Sequence, residues 1–207
     1  MHTSSLQPFI LKLTLAVIAL GAVSCAPHIT RKPFDDPALQ GDINKQRSGD
    51  SERGFSYWKD KDAKGVLNVK IDLSEQAAYI FRGDTQVGRS RIATGRQGHS
   101  TPTGSFTIIE KTADKRSNLY GQIVDADGDV VKGDADSRLD KVPEGGQFIG
   151  ASMPNWMRLT NRGIGMHVGP IPNPGSPASH GCIRMPQQMA ELLFTHSELG
   201  TPVEIVP

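Results

Sequence analysis

From Leu67 to Leu73, apolar Leu67, Val69, Ile71 and Leu73 alternate with Asn68, Lys70 and Asp72. A period of two places the two sets on opposite faces of an extended chain, whereas a helix would scatter them around its circumference, so this stretch commits the domain to a half-buried strand. The turn Ser74-Glu75-Gln76 leads into a second apolar stretch, Ala77 to Phe81, and Arg82-Gly83-Asp84 into a third, Gln86 to Ile92. That is a hairpin with an added strand. Thr94 to Gly104 is loop by composition, followed by a strand from Ser105 to Lys111. Asp125-Ala126-Asp127-Gly128-Asp129 is a hairpin turn between Gln122-Ile123-Val124 and Val130-Val131; it lacks the glutamate and the glycine position of an EF-hand loop. Gly133 to Gly146 reads as a long polar insertion, a candidate flap over a groove. Ile164 to His167 is a short strand presenting His167 at its end, and Val203 to Val206 closes the domain. Helical spacing occurs after Pro186, at Met189, Leu192, Leu193, His196 and Leu199, with Gly200 past the end. The expected fold class is mainly β with one C-terminal packing helix.

The first 64 residues follow other rules. Lys12 precedes an apolar run from Leu13 to Val23, too short for a comfortable membrane span, and Ala22-Val23-Ser24-Cys25 closes it with small residues. This reads as an export signal over residues 1–25 and resembles a bacterial lipoprotein signal, in which Cys25 becomes the lipidated residue; Ala22 departs from the usual leucine. An ordinary signal peptide or an uncleaved anchor are the alternatives. Residues 26–64, rich in Pro, Asp, Lys, Arg, Ser and Gly, read as a flexible linker whose Phe55, Tyr57 and Trp58 either dock on the domain or stay exposed. The expected domain is 65–207, outside the cytoplasm in the periplasm or cell envelope and held at a membrane by its lipid. With 37% hydrophobic and 22% charged residues the chain is too polar to span a membrane repeatedly, and its net charge of +1 gives no electrostatic case for nucleic acid.

Cysteine usage points to chemistry. The chain has two cysteines, and lipidation or removal of Cys25 leaves Cys182 without a disulfide partner in a compartment that favours oxidation. A free thiol with a pKa of about 8.5 is only slightly ionised at neutral pH and needs a neighbouring base. His180 stands two residues away and His167 fifteen, and spacing alone does not rank them. His99, His167, His180 and Cys182 lack the regular ligand spacing of a structural zinc site, so no metal or other cofactor is expected. Trp156 and Arg158 form either a core pair or a substrate wall. Gly169 to Pro177, with four prolines, is a stiff loop carrying the chain toward Cys182.

The run Ser179-His180-Gly181-Cys182-Ile183-Arg184-Met185, together with Thr101-Pro102-Thr103-Gly104 and His167-Val168-Gly169, resembles the signature of the L,D-transpeptidase catalytic domain, the YkuD family, over roughly residues 66 to 206. The resemblance implies a mixed β-sandwich or barrel-like fold and a peptidoglycan transferase. In it Cys182 is the nucleophile and His167 the base, its second ring nitrogen held by a backbone carbonyl. His180 shapes the pocket, and the Gly181 and Cys182 N–H groups form an oxyanion hole. Ser179 orders the loop, and Arg184 either meets a substrate carboxylate or braces the loop. The implied partners are peptidoglycan stem peptides, with a second stem's diaminopimelate, the lysine of a wall-linked lipoprotein and a free D-amino acid as the alternative acceptors. The eleven residues between His167 and Ser179 are fewer than the family's commonest form has. A hydrolase on the same site, a non-catalytic wall-binding lipoprotein and a papain-like protease are the rival readings.

Overall fold

The computed structural model describes residues 55–207. The expected signal segment, Cys25 and the linker as far as residue 54 lie outside the described residues. Eleven strands and one helix follow in order: β1 (Tyr57–Trp58), β2 (Leu67–Asp72), β3 (Ala77–Arg82), β4 (Thr85–Arg91), β5 (Gly104–Thr107), β6 (Glu110–Val124), β7 (Val130–Asp136), β8 (Gln147–Arg158), β9 (Gly165–Val168), β10 (Ile183–Met185), α1 (Gln187–His196) and β11 (Pro202–Val206). They form a six-stranded sheet in the order β1-β4-β3-β2-β11-β5 and a five-stranded sheet in the order β10-β9-β8-β6-β7. The mainly β class and the one packing helix are as expected.

The alternation in β2 buries Leu67, Val69 and Ile71, and β11, parallel to it, buries Val203 and Ile205. The strand expected from Ser105 to Lys111 is instead two. Ile108 N–H donates to Thr201 O on the first sheet's side, while Ile109 N–H donates to Arg158 O on the second, so the chain changes sheets between these residues. The expected insertion from Gly133 is also corrected. Its first four residues belong to β7, hydrogen-bonded to β6, and only 137–146 is connection. Asp125 Oδ1 accepts from Asp127 N–H and Asp129 N–H, closing the β6–β7 turn on itself.

Helix α1 buries Met189, Ala190 and Leu193 against β8 and β9, but ends at His196, leaving Leu199 exposed. Lys111 Nζ donates to the carbonyls of Phe194 and Ser197, satisfying groups that a helix end leaves unpaired. The segment before residue 65 contributes to the fold as well: β1 pairs with β4, Trp58 is 2% exposed, and Asp60 is gripped by the Arg82 guanidinium at 3.0 Å.

Candidate active site

Strand β10 lies parallel to β9 with Ile183 opposite Met166, Arg184 opposite His167 and Met185 opposite Val168. Met166, Ile183 and Met185 are fully buried on one face. Alternation turns His167 and Arg184 to the other face, and Cys182, two residues before Arg184, joins them. His167 and Cys182, fifteen residues apart in sequence, thus line one groove of about 950 Å³. Ser179, His180, Arg184, Arg158 and Trp156 line it too.

His167 is 5% exposed, and its Nδ1 lies 2.7 Å from Val168 O. A carbonyl only accepts, so Nδ1 carries the proton and Nε2 is left as the acceptor. Burial pushes the imidazole pKa down from 6.5 to about 4, with the Val168 bond opposing and the Arg184 charge assisting. At neutral pH the ring is uncharged. The Cys182 thiol donates to Gly163 O at 3.5 Å; burial raises its pKa, while the Gly165 N–H and Arg184 act to lower it. The pair rests as neutral thiol and neutral imidazole rather than as an ion pair.

The turn before Cys182 is held by one side chain. Ser179 Oγ accepts from Gly181 N–H at 3.0 Å and donates to Cys182 O at 2.5 Å. The Gly181 N–H thus donates within the turn, to Ser179, and the Cys182 N–H is the one that no described group accepts. Glycine is needed at 181 on conformational grounds. Its φ of +111° is unfavourable for other residues, and a Cβ there would stand 2.8 Å from Ile164 Cδ1.

The loop 94–104 clamps this turn. Thr94 O accepts from the N–H groups of Ala178 and Ser179, Arg96 N–H donates to Ser179 O, and Thr101 Oγ1 donates to Gly181 O. Ala93 and Arg184 exchange both backbone bonds, a bridge between the two sheets at the site itself. Behind the loop stands Gln76, 2% exposed, whose amide bonds Thr94 N–H, Thr94 Oγ1 and Leu73 O. Its position in a turn, at φ +51°, marked it in sequence only as connection.

His180 is engaged elsewhere than with the thiol. It stacks on Tyr120 at 4.0 Å, meets Arg96 Nη2 at 2.8 Å, and lies 3.3 Å from Asp134 Oδ1. Burial, then Arg96, lower its pKa. Arg96, Tyr120 and Asp134 escaped sequence reasoning: the first sits in a glycine-rich loop, the others on a hairpin without alternation. Arg158, which lines the groove, is engaged with protein groups. Its Nη1 pairs with Glu110 at 2.9 Å and its Nε donates to Thr160 O, so the guanidinium braces the β8–β9 turn. Trp156, 2% exposed, stands 6.0 Å from the His167 ring and backs it as core. Arg184 has only a 3.5 Å contact to Pro170 O, its stem lying over Gly169, where a Cβ would meet Arg184 Cγ at 2.8 Å.

The family model described as the L,D-transpeptidase catalytic domain, YkuD, matches residues 68–205. Among solved structures, an L,D-transpeptidase from Mycobacterium smegmatis aligns at 18% identity over 68% of this chain and 58% of its own, with a TM-score of 0.51. One from Stackebrandtia nassauensis aligns at 19% identity over 80% and 65%, with a TM-score of 0.50. An LD transpeptidase in complex with imipenem aligns at 22% over 68% and 59%, with a TM-score of 0.51. The chain spans about three fifths of the length of these structures, and the likeness is one of fold. No curated protein matches its sequence. The family's model accounts for the chain from β2 into β11, and the chain belongs to the YkuD family of L,D-transpeptidase catalytic domains.

Proposed function

We propose that the chain is a peptidoglycan L,D-transpeptidase working through a Cys182 acyl-enzyme. The observation that carries this reading is the His167 tautomer: Nδ1 is committed to Val168 O, so Nε2 is an acceptor in the groove that Cys182 lines. Nε2 takes the thiol proton as Sγ attacks the carbonyl at the L-centre of diaminopimelate in a tetrapeptide stem. The proton passes to the departing D-alanine amine as the C–N bond breaks, leaving a thioester. An acceptor amine then attacks that thioester, gives its proton to His167, and releases Cys182 as thiol. The Cys182 N–H, which no described group accepts, is the donor for the developing oxyanion in this reading, a contribution that in related chemistry is worth about 100-fold to 1,000-fold. His180, tied to Arg96 and Asp134, shapes the groove wall and takes no proton. The acceptor is a second stem's diaminopimelate amine, a lipoprotein lysine or a free D-amino acid. The same reading places the protein in the cell envelope, exported by its first 25 residues and lipidated at Cys25.

The test is incubation of the purified protein with tetrapeptide muropeptides, followed by mass spectrometry of products and of the intact protein. A stem adduct on Cys182 with loss of D-alanine is expected, absent in Cys182→Ala. An unchanged product pattern in that variant refutes the assignment. Products in which water replaces the amine identify a hydrolase on the same site.

A further inference from the structure

The groove is predominantly cationic. Six cationic side chains line it, Lys115, Arg116, Arg138, Arg158, Arg162 and Arg184, against the single acidic side chain of Asp134. The chain as a whole carries only +1, so the excess is local. Nor is it neutralised from behind. Arg138 is paired with Asp136 and Arg158 with Glu110, while Asp134 is held by Arg96 and His180. Among the described residues the other four form no salt bridge, although Lys115 acts through its charge on Glu110 and Arg184 on Asp134: Arg116 donates to Gly150 O and Arg184 reaches Pro170 O, both neutral carbonyls. Among the described residues the side chains of Lys115 and Arg162 make no hydrogen bond or salt bridge. Uncompensated cations along a concave, low-dielectric wall focus a positive potential and draw an anionic ligand into the groove.

Arg162 is the one best placed to read that ligand. It sits in the exposed turn between β8 and β9, next to Gly163, whose carbonyl accepts the Cys182 thiol. The turn is held in place by others: Arg158 donates to Thr160 O and Asn161 O, and Ile164 N–H donates to Thr160 Oγ1. The Arg162 fork is therefore carried on a braced support with its donors unspent among the described residues, the condition for two parallel bonds to a carboxylate. A carboxamide offers one acceptor and no charge to the same fork.

We infer that Arg162 is a specificity-determining residue that makes this groove prefer stem peptides whose carboxylates are free acids over stems in which they are amidated. Lys115 and Arg116, on the β6 wall, supply attraction along the groove rather than selection at the thiol. The inference rests on the acyl-transfer reading of the site.

The experiment measures kcat/KM for formation of the Cys182 acyl adduct with a free-acid tetrapeptide stem and with the same stem amidated at its glutamate and diaminopimelate carboxyls, in wild type, Arg162→Gln and Arg162→Lys. Charged hydrogen bonds of this kind translate into a preference of about tenfold or more for the free acid in wild type. Arg162→Gln is expected to lose that preference by slowing the free acid alone, with Arg162→Lys intermediate and the thermal midpoint unchanged in both. Equal rates on the two stems in wild type, or an equal loss on both in Arg162→Gln, overturn the inference while leaving the transferase reading intact. Absence of any adduct from either stem on folded wild-type protein overturns both.

Discussion

His167 and Cys182 both rest uncharged, and this sets how the site responds to pH. The imidazole accepts a proton only while neutral, and it is neutral above its depressed pKa of about 4. Acylation should therefore hold nearly constant from neutral pH down to about 5 and fall as pH drops through 4, whereas an ordinary histidine would impose that limb near 6.5. A rate profile of adduct formation checks it, and an acid limb near 6.5 contradicts the neutral pair. The two histidines near the thiol separate in the same assay. His167→Ala should cost acylation about 100-fold to 10,000-fold. His180→Ala should keep the limb near 4, because the base is untouched, and change mainly KM through loss of the Tyr120 stack and the Arg96 contact. A shift of the limb in His180→Ala would make His180 the proton acceptor.

At the scale of elements, the support of the site is testable at Gln76. A buried amide that satisfies Thr94 N–H and Thr94 Oγ1 holds the loop that in turn holds Ala178 and Ser179. Gln76→Leu strands those groups without partners and should lower stability by about 1–3 kcal/mol, read as a lower urea midpoint, with acylation falling in the folded fraction as well. Strand β2 was legible because it has one wet face and one dry face, and β3 and β4 because apolar stretches stand between turn residues. Strand β6 was not: across Glu110–Val124 only Ile123 and Val124 are buried, so no alternation exists to read. The adjoining pair Ile108 and Ile109 looks uniform in sequence yet its two amides serve different sheets. That Cys182 and His167 share one groove was implied by the motif resemblance. The Arg96–His180–Asp134 cluster was not, since it joins residues up to 84 positions apart through tertiary contacts alone. The bond from Gly181 N–H to Ser179 Oγ was not legible, because it depends on a side-chain rotation that residue order does not encode.

For the whole molecule, three histidines, His167, His180 and His196, have pKa values held down by burial. The unfolded chain then binds more protons than the folded one between about 4 and 6.5, so stability is complete above that window and declines as pH falls through it. For His167 the displacement from 6.5 to about 4 corresponds to roughly 3 kcal/mol. Urea midpoints at pH 7 and pH 5 should differ accordingly, the lower value at pH 5; equal midpoints would contradict the burial of these rings in neutral form. The carboxylates of Asp72, Glu110 and Asp140, whose pKa values are lowered, add their own loss at still lower pH. The parallel pairing of β11 with β2, Val203 beside Val69, bears on time rather than on energy. A chain made from its N-terminus has the β2–β4 meander in hand long before Cys182 exists, and the first sheet cannot be completed until the final five-residue strand has been synthesised. Cys182 thus enters a fold whose first sheet is still open, and that sheet closes only when β11 pairs with β2.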